Sequence, residues 1–389
     1  MDNKKKQICT EVDAIADVLF SISDYLKENP ETAYLEKKAC QFLSARLEDH
    51  GFEVEKGVGN LETAFMARPR GQTPKRPAVA FLAEYDALPK IGHGCGHNLI
   101  AAAGVGAAVA LSRTLGKDAG GVALVGTPAE EGGGGKVRLV EARIFDGIDA
   151  AMMFHPKDAN LPGRDNLGRV TVKIEFIGKA AHASGSPDRG LNALDAMVLA
   201  YTAMNSIRQH LRPDGRIHGI ITHGGDAPNV IPDYTAGLFY VRAAGLKYRD
   251  ELFERVRGCA EGAARATGTE ARVEIVPPTL DPIKRNLPLE EAFRNNMALL
   301  GVPVDADDGR KGSSDIGNLS QYLPAIHPYL KIVEPGVPGH SAAFREATAS
   351  PRGRQAMLNA AKLLALTAYD YLTDDRLRQK VSVDFKSDD

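Results

Sequence analysis

The first 51 residues carry hydrophobic side chains at the three- and four-residue spacing of amphipathic helices. One set comprises Val12, Ile15, Val18, Leu19, Ile22 and Leu26, and the next comprises Leu35, Ala39, Phe42, Leu43 and Leu47. Gly51 follows the second set, where a helix would end. The pattern predicts two helices at the start of the protein. Residues 1–7 are Lys-rich, and we expect them to form a frayed, solvated end.

The next part of the chain alternates short apolar runs with helical stretches. The apolar runs occupy residues 78–85, 122–127 and 150–154, and the helical stretches occupy 98–115 and 136–143. Strands that alternate with helices in this way are typical of an α/β sheet whose strands are largely parallel. We therefore predict a mostly parallel α/β domain in this part of the protein.

The pattern changes at Gly168, where hydrophobic and polar residues begin to alternate as in a half-buried strand. The elements predicted after this strand are a helix at about 191–211, strands at 217–223 and 234–243, a helix at about 247–267 and a strand at 271–276. This βαββαβ order resembles a ferredoxin-like α+β unit. Pro277 and Pro278 then interrupt the pattern, and helices and strands resume to about residue 373.

Two domains follow from this organisation. An α/β domain comprises residues 1–167 and 278–389, and it is interrupted by an inserted α+β domain at 168–277. A chain of 389 residues is long enough for two domains that each bury a core. The residues after Thr373 are polar, and we expect them to be a mobile tail.

The composition excludes several classes of partner. Lys and Arg together number 48 against 50 for Asp and Glu, so no basic surface is expected for nucleic acid or an anionic membrane. The longest apolar run, Leu99–Leu111, has 13 residues, whereas a membrane span needs about 20, so a buried helix is predicted. The four cysteines form no CxxC pair, and no export signal is recognisable. We therefore expect a cytoplasmic protein without a disulfide framework.

A Gly-rich loop after the first apolar run contains the densest set of candidate ligands, His93-Gly-Cys95-Gly-His97-Asn98. Cysteine and histidine two residues apart can bind one cation, because glycine lets the backbone fold tightly around it. Structural roles compete with this interpretation, since a lone Cys or His is usually structural and Asn98 could be a helix cap.

Acidic and histidine residues also follow the neighbouring apolar runs. Glu130 and Glu131 come after residues 122–127, Asp86 ends the earlier run, and His155 ends the later one. Open α/β sheets place their sites at these strand ends. If the Glu-Glu segment is extended, its side chains point to opposite sides, so one can bind metal and the other can move a proton. The mixed nitrogen, oxygen and sulfur set favours zinc or manganese over calcium.

Three other interpretations compete with a metal site. Glu-Glu pairs are commonly solvated surface residues. Cys95 could be a nucleophile with His97 as its base, but this leaves the glutamates and His155 unexplained. A phosphate loop at Gly132 to Lys136 lacks the GxxxxGK[ST] spacing.

Eight blocks of sequence give the chain a clear resemblance to the M20 metallopeptidase family, from about residue 10 to about 370. They are AEYDALP (83–89), GHGCGHN (92–98), GTPAEEGGGG (126–135), MFHP (153–156), GKAAHAS (178–184), NVIPD (229–233), GSSDIGN (312–318) and GHSAAF (339–344). The similarity is to the amidohydrolase branch that includes aminobenzoyl-glutamate hydrolase and M20 domain-containing dipeptidases. Its fold would be a zinc-peptidase-like α/β domain with an inserted ferredoxin-like lid and dimerisation domain.

The resemblance also implies roles for individual residues. The implied metal ligands are Cys95, His97, Glu131, His155 and His340, and the implied catalytic residues are Glu130 as general base, His182 at the scissile carbonyl and Asp86. Asn229 and Arg242 match lid positions that hold substrate, often its carboxylate. Without the family match, they would be interpreted as a turn-capping Asn and a solvated Arg. Two residues depart from the pattern of many relatives: Glu84 stands where they have His, and Asn98 stands where they have Asp.

The activity implied is that of a metal-dependent amidohydrolase with two divalent ions per chain, zinc or manganese, and a metal-activated water. Its small-molecule substrates would be N-acyl amino acids, aminobenzoyl-glutamate-like conjugates or dipeptides. The alternatives are an aromatic-amine aminohydrolase with the same site and a non-catalytic metal-binding scaffold, which would not need Glu130. The resemblance further implies a homodimer, with His182 acting either in its own chain or in its partner.

Overall fold

The computed structural model describes residues 1–116 and 121–387, which form two compact units. The first unit comprises Met1–Arg164, Lys284–Arg310 and Asn318–Asp389, and the second comprises Asp165–Ile283 and Lys311–Gly317.

The elements are numbered along the chain. Before residue 165 they are α1 (Asn3–Ala14), α2 (Ala16–Glu28), α3 (Lys37–Asp49), β1 (Phe52–Lys56), β2 (Phe65–Pro69), β3 (Ala78–Ala83), α4 (His97–Leu115), β4 (Gly121–Gly126), α5 (Gly135–Glu141), β5 (Ala150–Met152) and β6 (His155–Lys157). Up to residue 283 they are β7 (Gly168–Ile177), α6 (Ala193–Arg208), β8 (Arg216–His223), β9 (Tyr234–Ala243), α7 (Leu246–Thr267) and β10 (Glu270–Leu280). The remainder are α8 (Leu287–Leu299), α9 (Ile316–Tyr322), β11 (Ala325–Ile326), β12 (Tyr329–Lys331), α10 (Ala342–Ala347), α11 (Pro351–Thr373) and α12 (Asp375–Lys386).

The first unit is built on a six-stranded sheet with the order β1-β2-β4-β3-β5-β11. The β4–β3, β3–β5 and β5–β11 pairs are parallel, and β1 and β2 add an antiparallel edge. The predicted α/β class with a mostly parallel sheet is therefore confirmed. The four parallel strands all end at the same edge of the sheet, which is where the predicted functional loops begin.

Helix α4 lies in the core of the first unit. Gly104 lets it approach β3 closely, because a Cβ at this position would lie 3.0 Å from the carbonyl oxygen of Leu82. The helix is long and apolar enough to cross a membrane by length and composition alone, but 83% of its apolar window is buried. Its composition is accounted for by this core position, as the sequence predicted.

The two ends of the chain differ from expectation. Three helices open the protein instead of two, and the predicted frayed end is wrong, because α1 begins at Asn3. Lys5 Nζ on this helix donates to Asp370 Oδ2 at 2.7 Å and to Asn296 Oδ1 at 2.9 Å. The predicted mobile tail is also wrong for residues 375–386, which form α12. Its N-cap, Asp374, accepts hydrogen bonds from two backbone N–H groups of the first turn.

The second unit contains an antiparallel sheet with the order β10-β7-β9-β8. Its strands and helices follow one another in βαββαβ order. Residues from the inner face of this sheet and from α6 and α7 form one hydrophobic core, which includes Val172, Phe239, Met197 and Leu252. The expectation that the prolines at 277 and 278 end the last strand is wrong, because β10 continues to Leu280 with a shift in register.

Candidate metal centre and active site

The loop between β3 and α4 is shaped by Gly96. Its φ of +83° is left-handed, and a Cβ at this position would lie 2.4 Å from Cγ of Pro156. Only glycine permits this close packing of the Cys95 loop against the residue that follows His155. Gly96 is also the N-cap position of α4. Asn98 is therefore not the cap, and its Nδ2 donates to Ser23 Oγ at 2.9 Å.

His97 is fixed by Asp86. Its Nδ1 lies 2.8 Å from the carbonyl oxygen of Asp86 and 3.1 Å from Oδ1 of the same residue. Burial lowers the pKa of His97, but attraction to Asp86 and Glu84 outweighs it and raises the pKa well above its ordinary value. Nε2 is buried and has no hydrogen-bond partner among the described residues. A carboxylate on one ring nitrogen with the other nitrogen available is the usual arrangement of a metal-binding histidine.

The two glutamates after β4 lie in a turn. Ala129, just before them, has a φ of +61°, and its N–H donates to the carboxylate of Glu36 at 2.9 Å. Glu130 Oε2 and Glu131 Oε1 each lie 3.9 Å from Nε2 of His97. The expectation that the two side chains point to opposite sides is therefore wrong, because the turn replaces the extended segment on which it rested.

Cys95 and His155 meet on the other side of the same loop. Cys95 Sγ lies 3.3 Å from His155 Nε2, and His155 Nδ1 donates to the carbonyl oxygen of Pro156 at 2.7 Å. Burial lowers the pKa of His155 to about 3, with a smaller contribution from His97, so the imidazole is neutral as a metal ligand requires. Burial raises the pKa of the Cys95 thiol well above its ordinary value. This is the reverse of what a cysteine nucleophile needs.

His340 reaches the same cluster from the segment before α10. Its φ is +59°, and its N–H donates to the carbonyl oxygen of Gly94 at 2.9 Å. His340 Nε2 lies 3.3 Å from Oε1 of Glu131, and this hydrogen bond raises the pKa of His340. About half of its side chain, 54%, is exposed, which makes it the most accessible of the candidate ligands.

The structure brings all five predicted ligands into overlapping groups. Cys95, His97 and His155 form one group, and Cys95, Glu131 and His340 form another. Within each group, the ligand atoms lie within 4.8 Å of one another. The donor set contains imidazole, thiol and carboxylate, and one buried imidazole nitrogen has no hydrogen-bond partner in the described part of the chain. These residues fit a divalent transition-metal centre.

Comparison with known proteins agrees with this geometry. The family model for peptidase family M20/M25/M40 matches residues 80–370. The chain belongs to peptidase family M20. It is 37% identical to Xaa-Arg dipeptidase of Mus musculus, over 98% of this chain and 92% of that protein. It is 30% identical to one of the subunits of p-aminobenzoyl-glutamate hydrolase of Escherichia coli (strain K12), over 92% and 90%. This M20 protein is thus a hydrolase that acts on amide bonds.

A solved structure has the same fold. It is that of a dinuclear metal-binding peptidase of the M20 family from Bacillus subtilis, with a TM-score of 0.70 and 21% sequence identity. The alignment covers 92% of this chain and 99% of the other. Divalent metal binding is a property of M20 peptidases, and the ligand groups of this chain agree with it.

Sequence reasoning missed one histidine of this M20 site. His327 is buried between β11 and β12, and its ring centroid lies 5.5 Å from that of His155. Its Nδ1 lies 3.1 Å from the hydroxyl of Tyr329. β11 has only two residues, so its apolar run was too short to be recognised as a strand. The useful indication was its position at the end of such a run, which it shares with His155.

The other predicted residues of the M20 chain lie in the second unit. His182 is exposed, and its Nδ1 accepts from the backbone N–H of Gly185 at 3.1 Å. In the neutral ring, the proton is therefore assigned to Nε2. Asn229 is beside it, because the N–H of Ala183 donates to the Asn229 carbonyl oxygen at 3.0 Å. Arg242 lies on β9, and its Nη1 donates to Ser313 Oγ at 3.0 Å.

Proposed function

We propose that this protein hydrolyses N-acyl amino acids, dipeptides or aminobenzoyl-glutamate-like conjugates with two divalent cations, zinc or manganese. The observation that supports this is the position of Glu130. Its carboxylate lies 3.9 Å from Nε2 of His97, beside the two ligand groups that share Cys95. A non-catalytic metal scaffold would not need a carboxylate there. The names of the relatives indicate the substrate classes.

The bound cations would polarise the scissile carbonyl and lower the pKa of water. Cys95, His97 and His155 would hold one cation, and Cys95, Glu131 and His340 would hold the other. Glu130 accepts the proton of the attacking water and delivers it to the leaving nitrogen.

Residues of the second unit complete the proposed mechanism, in which this unit is the inserted lid. His182 carries its proton on Nε2, and it can therefore donate a hydrogen bond to the developing oxyanion. A donor of this kind is typically worth about 2.7–4 kcal/mol to the transition state. Arg242 and Asn229 hold the substrate carboxylate, for which a guanidinium is a strong partner.

A homodimer is also part of the proposal. Strand β8 is at the edge of its sheet, and its Ile220 and Ile221 side chains are 63% and 40% exposed. Val198 and Leu199 on α6 are exposed as well. An unpaired edge strand with exposed apolar side chains invites pairing with a second copy. We place the protein in the cytoplasm, in agreement with its four free cysteines.

The test is a substrate panel with manganese or zinc. It contains N-acyl amino acids, dipeptides with and without a C-terminal arginine, p-aminobenzoyl-glutamate and aryl amines. Metal-dependent release of a free amino acid from one of the first three classes supports the proposal. Release of ammonia from aryl amines alone would assign the aminohydrolase activity instead. Bound metal without turnover of any compound would show a scaffold.

A further inference from the structure

A buried ion pair lies directly behind the ligand His97. Lys136, in the first turn of α5, donates a hydrogen bond from Nζ to Oε1 of Glu84, which follows β3. The two side chains are 0% and 1% exposed. Removing two ions from water is costly, and their attraction alone often fails to compensate for it. An ion pair at this depth therefore needs a reason beyond stability.

The second oxygen of Glu84 is close to the ligand atom of His97. Glu84 Oε2 lies 3.4 Å from His97 Nε2, closer than Glu130 or Glu131 at 3.9 Å. Ligand atoms that bind one cation tetrahedrally at about 2.0–2.2 Å are separated from each other by about 3.3–3.6 Å. Glu84 and His97 thus have the separation expected of two ligands on one ion.

We propose that Glu84 is a metal ligand in addition to Cys95, His97, Glu131, His155 and His340, and that Lys136 is the residue that positions it. Lys136 binds Oε1 and leaves Oε2 directed at His97. An added carboxylate makes the cation site nearest His97 richer in oxygen, and this shifts its preference from zinc toward manganese. The inference rests on the proposed function only in requiring that a divalent cation binds at His97.

Metal binding without substrate tests this assignment. Manganese and zinc affinities are measured by chelator competition, and metal content by mass spectrometry, for Glu84→Gln and for the double variant Glu84→Gln/Lys136→Met. The double variant leaves no unpaired buried charge, so it covers the case in which Glu84→Gln alone does not fold. Both variants are expected to lose at least about 100-fold in manganese affinity, beyond the usual 10–100-fold effect of an outer residue. A folded double variant with wild-type affinity for both ions would overturn the proposal.

Lys136→Met gives an independent measurement. It leaves the buried Glu84 carboxylate without its lysine, and a cation coordinated by Glu84 would then compensate that charge directly. Adding manganese should therefore raise the melting temperature of Lys136→Met more than that of the wild type. An equal rise in both proteins would mean that Glu84 does not contact the cation.

The matched control is another ion pair of the first unit, Lys5 with Asp370, whose side chains are 13% and 25% exposed. Lys5→Met/Asp370→Asn makes the same chemical change far from the proposed ligands in sequence, and it should keep wild-type metal affinity. Because no substrate is used, an inactive substrate panel would refute the proposed function and leave this result intact.

Discussion

The backbone N–H of Glu131 donates a hydrogen bond of 2.9 Å to Oδ2 of Asp86. The other oxygen of Asp86 lies 3.1 Å from Nδ1 of His97. One buried carboxylate therefore fixes two candidate ligands that come from different loops. Burial raises the pKa of this carboxyl group, but its contacts with His97 and the Glu131 N–H outweigh it and lower the pKa.

Asp86→Asn should weaken metal binding by about 10–100-fold, because an amide orients His97 less strongly and replaces one acceptor oxygen. Metal affinity, measured by chelator competition, checks this. The control is Asp149→Asn, since Asp149 accepts from the N–H of Ala78 at the start of the same strand, β3. Unchanged affinity in Asp86→Asn would show that Asp86 has no positioning role.

Adjacent glutamates should respond differently to the same substitution. Glu130→Gln is expected to retain its metal and its fold but to lose about 10²–10⁴-fold in kcat, because a proton acceptor is lost. Glu131→Gln should lose metal as well, because Glu131 belongs to a ligand group with Cys95 and His340. Metal content and kcat measured on the same samples separate the two roles. Wild-type rates in both variants would mean that the site is elsewhere.

Activity should depend on a cation held partly by sulfur. Chelation is expected to abolish turnover, and Cys95→Ala should lower the bound metal, because thiolate coordination is lost. Cys40→Ala is the control, since Cys40 is buried on α3 and belongs to none of the ligand groups. Metal-free Cys95→Ala protein with full activity would contradict the prediction.

The stability of the fold should fall as pH rises from about 4.5 to about 7 because of Glu36. Burial, with a smaller contribution from Asp86, raises the pKa of this carboxyl group from 4.5 to about 7. In this pH range the folded protein holds a proton that the unfolded chain releases, so the stability present at low pH is lost as pH increases. The loss amounts to at most about 3 kcal/mol.

Urea unfolding at pH 5 and pH 8 measures this effect. Glu36→Gln should show a smaller difference between the two pH values than the wild type, because the amide does not titrate. Glu53→Gln, on the exposed side of β1, should keep the wild-type difference. If Glu36→Gln kept it too, another group would be responsible.

Mixed dimers test whether His182 serves its own chain or the partner. Glu130→Gln and His182→Ala are each expected to be inactive. If His182 acts across a dimer, mixing the two variants under conditions that allow subunit exchange should restore activity, because one composite site in some mixed dimers is intact. Native mass spectrometry verifies the exchange. No recovery after proven exchange would mean that each chain completes its own site.

The sequence predicted the parallel sheet because strands buried on both faces, such as residues 78–83, leave an unmistakable apolar run. The strand-end argument also found His97 and His155 without any relative. It could not find His340, whose segment follows no recognisable strand and reaches the cluster only through the tertiary fold. The turn at Glu130 was missed because the left-handed conformation of Ala129 has no composition that reveals it. Lys136 looked like an ordinary surface residue, although it is fully buried.

Gly96 contributes no donor atom, yet the metal centre depends on it. A methyl group at position 96 would collide with Pro156, the chain neighbour of His155, and it would strain a left-handed backbone. Random mutagenesis should therefore recover inactive proteins in which every coordinating side chain is intact. Position 96 is closed to evolutionary drift for a steric reason, and a search for active homologues that checks only the coordinating residues would accept chains that cannot assemble the site.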